Sequence, residues 1–170
     1  MAARSKARKR ALDYLYAAEM RGESPVRRLE SAVADGEGHT NPYTEVLVRG
    51  VVSRMDRLDA LLTSYSREWS LARMPAVDRN ILRLGLWELL YADDVPDAVA
   101  VDEAVALARG LSTDDSPTFV NGILGALKRD KASLAEPDEV DAAGEAAEGD
   151  QSGGEAGESG DARADGDLDA

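Results

Sequence analysis

The sequence predicts an all-α protein of six or seven helices, and three observations lead there. No stretch alternates β-branched and polar residues as a half-buried strand would. Apolar residues recur instead at spacings of three and four, from Ala11 to Leu127. Residues that start and stop helices, such as Ser24-Pro25, Ser116-Pro117, Gly22 and Gly110, separate these runs at short intervals.

The first helix is expected at roughly 4–21. Ala11, Tyr14, Leu15 and Ala18 fall at i, i+3, i+4 and i+7 and form its buried stripe, and Gly22 ends it. A short helix over about 25–34 follows Ser24 as N-cap and Pro25 at the first helical position. The run DGEGHTNP (35–42) reads as a loop. A long helical stretch over about 43–67 carries Val46, Leu47, Val51, Leu58, Leu61 and Leu62, with a break expected near Met55-Asp56. The helix at about 75–92, PAVDRNILRLGLWELLYA, is apolar round most of its circumference, which places it centrally. DDVPD (93–97) stops it. A helix over about 100–110 ends at Gly110. The last helix begins after Ser116, the expected N-cap, and buries Val120, Ile123, Leu124 and Leu127. Glu88 lies within the stripe of Val77, Ile81 and Leu84, so it needs a partner, either an arginine or a helix N-terminus.

Charge divides the chain in two. Residues 1–134 hold 19 Lys/Arg and 20 Asp/Glu, whereas residues 135–170 hold one Arg and 13 Asp/Glu. The second part is built of Gly, Ala, Asp and Glu without an aromatic residue, and it predicts a disordered acidic tail behind a folded domain of 1–134. The folded part is near neutral but starts with Arg4, Lys6, Arg8, Lys9 and Arg10 and has no acidic residue among its first twelve. No apolar run reaches the ~20 residues needed to cross a bilayer, and no secretory apolar core follows the N-terminus. A soluble, cytoplasmic protein is expected.

The residues that carry most catalysis are scarce. There is no cysteine, which removes disulfides and thiolate metal sites, and the single histidine, His39, sits in a Gly-rich loop as an expected solvated residue. No phosphate-cradling glycine motif occurs. The acidic pairs Asp93-Asp94, Asp102-Glu103 and Asp114-Asp115 sit at helix ends or in loops and lack calcium-loop spacing. No enzyme activity, metal or cofactor is expected.

Binding features remain. Cations at a helix N-terminus oppose the macrodipole and repel one another. The basic block is therefore either a solvated helix end or a segment neutralised by phosphates, as in arginine-rich RNA-binding segments. Arg79, Arg83 and Trp87 line up four apart on the central helix. They form either a solubilising strip, with Arg83 resting on Trp87, or a basic, aromatic strip for phosphates and bases. Phe119, the only phenylalanine, is either a core-edge residue or an exposed stacking platform. Tyr16 lies off the buried line of its helix, which suits a protein interface.

RALDYLYAAE behind a basic block, DRNILRLGLWELLY, and PDAVAVDEAVALARGLSTDDSPTFVNGILGAL together resemble the NusB family of transcription antitermination factors, over about residues 3 to 131. Residues 22–65 match only in outline, and the acidic tail lies outside the pattern. The resemblance implies two small helical bundles packed across each other, and no enzyme activity. It implies binding to the boxA element of ribosomal RNA leader transcripts together with NusE, a small-subunit ribosomal protein, in support of RNA polymerase. Homodimers, formed by some members, are also implied. By position, Arg4, Lys6, Arg8, Lys9 and Arg10 match the arginine-rich RNA segment, Phe119 an RNA-facing aromatic, and Asp115 an acidic position near the RNA. Arg83 is expected to assist at the bases, while Tyr16 and Asp78 match positions near NusE. The sequence departs from the family at Pro117-Thr118, where other members can carry a basic residue, and at Asp102, where asparagine is usual. The alternative is a helical protein–protein adaptor or homodimer whose basic arm docks an acidic partner.

Overall fold

Apolar spacing and capping residues set where the helices run. The computed structural model describes residues 2–37 and 41–134, so His39 and the acidic tail lie outside the described residues. Among these residues there are seven α-helices and no strand: α1 (Ala3–Arg21), α2 (Pro25–Ala34), α3 (Pro42–Ser53), α4 (Met55–Tyr65), α5 (Ala76–Tyr91), α6 (Asp97–Leu111) and α7 (Ser116–Leu134). A single 3₁₀ turn, Leu71–Arg73, precedes α5.

The local signals explain the boundaries. Gly22 ends α1 at φ 65°, where a side chain would be strained. The Ser24 side chain accepts from the Arg27 amide, and the Asn41 side chain accepts from the Tyr43 amide, each with proline next in the chain. The break expected near Met55 falls at Arg54, whose φ of −117° and ψ of 13° separate α3 from α4. The Ser53 hydroxyl bonds back to the Gly50 carbonyl in the last turn of α3, a competing bond that favours ending there. Three expectations shift. Helix α6 starts at Asp97, since Pro96 already sets the φ a helix entry needs. Ser116 is the first residue of α7, and its hydroxyl faces Asp78 and Thr113 rather than capping as expected. Val46 is exposed, because α3 turns Leu47, Val48 and Val51 inward.

Helices α1, α2 and α3 pack on one another, as do α5, α6 and α7, with α4 against α5 and α7. The central helix α5 also touches α1 and α3, so it joins the two bundles. Close approach depends on two glycines. A Cβ on Gly50 would meet the Trp87 ring at 2.2 Å, and one on Gly85 would meet Leu124 at 2.7 Å. The core runs from Leu15 and Leu47 through Ile81, Leu82 and Leu86 to Leu124 and Leu127.

Candidate nucleic-acid interface

Helix α1 presents two chemistries on one outward face. At about 100° per residue, Lys6, Lys9 and Arg10 project within about 100° of one another, and all three are exposed. Farther along the same face come Asp13, then Tyr16 and Met20, which are 38% and 53% exposed. The cations hold only light internal contacts. Lys9 lies 3.5 Å from Asp13, and Arg10 reaches the Glu37 carbonyl at 3.5 Å and lies over the Tyr14 ring. Exposed pairs of this kind contribute ~0.2–1 kcal/mol and yield readily to a competing anion. Arg4 is exposed too. It pairs with Asp94 and lies over the Tyr43 ring. The hydrogen bond from Arg4 holds the Asp94 carboxyl below its ordinary range.

Arg8 stands apart from the other four cations. It is 3% exposed, and its Nε sits 2.9 Å from both carboxylate oxygens of Glu88. The Tyr43 hydroxyl donates to the same carboxylate at 2.6 Å, and Glu103 lies 3.6 Å from the guanidinium. Burial alone would lower the pKa of Arg8, but the hydrogen bonds and charge of Glu88 outweigh it and hold it above the ordinary value. Burial beside this carboxylate also raises the Tyr43 hydroxyl well above its usual range. Arg8 is therefore the partner that Glu88 required, and its charge does not face solvent. The reason lies in helix geometry: Arg8, Ala11 and Leu15 fall at i, i+3 and i+7 on the buried stripe.

Two further candidate residues are likewise held by partners within the fold. Arg83 bonds Asp59 through Nε and Nη2, at 2.7 and 2.8 Å, and Glu19 at 3.1 Å. Arg79 bonds Glu19 and the carbonyls of Leu71 and Met74. The strip on α5 is thus an internal polar seam covered by α1 and α4, and Trp87 is buried against Gly50 rather than under Arg83. Asp78 is 2% exposed, and its two oxygens accept from the hydroxyls of Ser112 and Ser116 at 2.6 and 2.8 Å. It ties the start of α5 to the start of α7.

A second surface opens where α7 begins. Phe119 is half-buried and its ring meets Trp69 at 5.8 Å between centroids, tilted by 56°. Phe119, Trp69, Glu68, Thr113 and Asp115 line a pocket of about 240 Å3 with Asp78 and Ser116 at its base. Asp115 and Glu68 are exposed at the rim. Sequence reasoning missed Trp69. Its signal was a tryptophan outside every helical apolar stripe. Among the described residues no cluster of three or more His, Cys, Asp or Glu is placed to hold a metal, and no helix is long and apolar enough to cross a membrane.

Residues 5–129 match the model of the NusB family. The chain is 68% identical to the transcription antitermination protein NusB of a Nocardioides species over 135 residues, which are 79% of this chain and all of that one. The corresponding protein of Pseudarthrobacter chlorophenolicus is 58% identical over 134 residues, 79% of this chain and 98% of that one. Among solved structures, NusB of T. maritima superposes with a TM-score of 0.70 at 33% identity, covering 77% of this chain and 94% of that one. A chain from a complex of the antitermination factors NusB and NusE with double-stranded RNA superposes with a TM-score of 0.65 at 27% identity, covering 74% of this chain and 96% of that one.

Proposed function

The chain belongs to the NusB family, and from that premise we propose that it acts in transcription antitermination by binding boxA RNA of ribosomal RNA leader transcripts together with NusE. The observation that carries this reading is the exposed cationic face of α1, formed by Lys6, Lys9 and Arg10 with Arg4 beside it. These side chains meet phosphates, and Phe119 with Asp115 meets bases at the start of α7. NusE docks farther along the same face of α1, on Tyr16, where an exposed aromatic and Met20 offer apolar area next to the cations. The assembly works with RNA polymerase in the cytoplasm. The reading assigns the chain no catalytic step, because its chemistry is the recognition of one RNA and one protein.

Fluorescence anisotropy with a boxA leader RNA and a scrambled control, with and without NusE, tests it. Tighter binding to boxA that improves with NusE is the expected result, and equal binding to both RNAs refutes boxA recognition. Arg8 is buried, so four cations rather than five are available. At ~0.7 per phosphate on a single strand, they contribute about −2.8 to the log–log salt slope. Replacing Arg4, Lys6, Lys9 and Arg10 with Ala removes that contribution, and an unchanged slope refutes the assignment of α1.

A further inference from the structure

The chain has two tryptophans, and they are treated in opposite ways. Trp87 is packed into the joint between α3 and α5, where a side chain on Gly50 would collide with its ring. Trp69 is 49% exposed, on the connection between α4 and the 3₁₀ turn. A large aromatic left half in water adds little to the core. Its loop is nevertheless held firmly. The Ser66 hydroxyl bonds the Trp69 carbonyl, the Arg73 amide bonds the Ser70 carbonyl at 2.9 Å, and Arg79 anchors the Leu71 and Met74 carbonyls at 2.8 and 3.1 Å. The backbone that carries the indole is therefore held in place, and the ring meets Phe119 of α7, both lining the pocket of about 240 Å3.

The chemistry of that pocket separates bases from backbone. Its rim carries Glu68 and Asp115, which as carboxylates only accept hydrogen bonds. Asp78 at the base is already occupied by two serine hydroxyls. A phosphate is repelled by this rim, whereas the exocyclic amino group of adenine, guanine or cytosine is matched by it. Aromatic faces flanked by acceptors suit an unpaired base, since stacking on side chains is how single-stranded RNA is commonly held.

We propose that Trp69 is a base-stacking residue that extends the Phe119 face, so that two neighbouring unpaired bases of one RNA strand lie on the two rings while Glu68 and Asp115 accept from their amino groups. This deepens the RNA-binding reading above and rests on it. The cationic face of α1 grips the backbone, and this acidic, aromatic corner takes bases. The two surfaces thus divide affinity and base selection between them.

The test uses the full chain with NusE and the boxA leader RNA, comparing the parent with Trp69→Ala and Trp69→Phe. W69A is expected to weaken binding by about 5- to 150-fold, the range for losing one stacked base, with the parent's salt slope retained. W69F keeps a stacking ring and is expected to bind within about threefold of the parent. RNA is expected to quench the tryptophan emission of the parent, and W69F, which retains only buried Trp87, is expected to lose that quenching while still binding. W69A binding as tightly as the parent overturns the proposal and leaves the RNA-binding reading standing. Weaker binding by W69A without any emission change in the parent also overturns it, because Trp69 would then only prop Phe119. A parent that binds no RNA overturns both readings together.

Discussion

Replacing Arg8 with alanine separates a core role from an RNA role. In the folded chain Arg8 and Glu88 are 3% and 2% exposed, and the guanidinium Nε lies 2.9 Å from both carboxylate oxygens. R8A leaves Glu88 buried with only the Tyr43 hydroxyl, at 2.6 Å, still donating to it. Stranding one partner of a buried pair costs about 3–5 kcal/mol, a large share of the ~5–15 kcal/mol that holds a domain folded. With a urea slope of about 2 kcal/mol/M, the unfolding midpoint is expected to fall by roughly 2 M. The double variant R8M/E88M removes both charges and is expected to recover most of that loss. It falls short of the parent because the Tyr43 hydroxyl and Glu103 also lose a partner, ~1–3 kcal/mol for an orphaned buried group. RNA binding by R8A, measured where it remains folded, is expected to keep the parent's salt slope. A parent-like urea midpoint combined with a slope shallower by ~0.7 would refute the argument and return Arg8 to the RNA-binding set.

Glycine variants on two helices are expected to move stability in opposite directions. Gly50→Ala places a Cβ 2.2 to 2.5 Å from three atoms of the rigid Trp87 ring and is expected to destabilise by ~1–3 kcal/mol or more. Gly122→Ala meets nothing within 4 Å in the exposed part of α7 and is expected to stabilise by ~1 kcal/mol through helix propensity. Urea midpoints of the two variants check both, and equal effects would contradict the packing. Acid titration tests Glu19. Burial pushes its pKa up, but the hydrogen bonds from Arg79 and Asn80 and the charges of Arg79 and Arg83 outweigh this and hold it below the ordinary value. The folded state therefore binds this proton more weakly than the unfolded chain does. The resulting stability is present above the unfolded value of ~4.3 and is lost as pH falls through the depressed folded value. Glu19→Gln is expected to lower stability near neutral pH and to flatten the decline on acidification. A variant that loses stability with acid as steeply as the parent would contradict the assignment.

How far the sequence could be read depended on what each residue's neighbours were. Gly22, Ser24 and Pro25 act within one turn of themselves, so their roles were legible directly. The central position of α5 was legible as well, because a helix with apolar residues on most sides has to be surrounded. The demand of Glu88 for a partner could be stated, but its solution lay 80 residues away in Arg8. Both halves were visible, a carboxylate in one apolar stripe and an arginine in register with Ala11 and Leu15. Read as one of five cations within seven residues, Arg8 passed for a surface residue. The surroundings of Arg83 and Asp78 were hidden for a related reason. Arg83 was read from the strip on its own helix and Asp78 from its place in the family pattern, and each is covered by groups from elsewhere, Asp59 and Glu19 in one case and Ser112 with Ser116 in the other.

By itself, then, the sequence determined the all-α class, the helix order, the cationic start of α1 and the family, because these depend on local propensity, spacing and motif. Only the tertiary structure decided which charges remain available. Solvation of an ionic side chain is set by what packs over it, and three of the expected site residues are bound by partners 24 to 80 positions away, Arg8 and Arg83 by carboxylates and Asp78 by a serine hydroxyl. The structure also brought Trp69 to Phe119 across 50 residues, a contact between the segment after α4 and the start of α7, which no periodicity within either segment encodes.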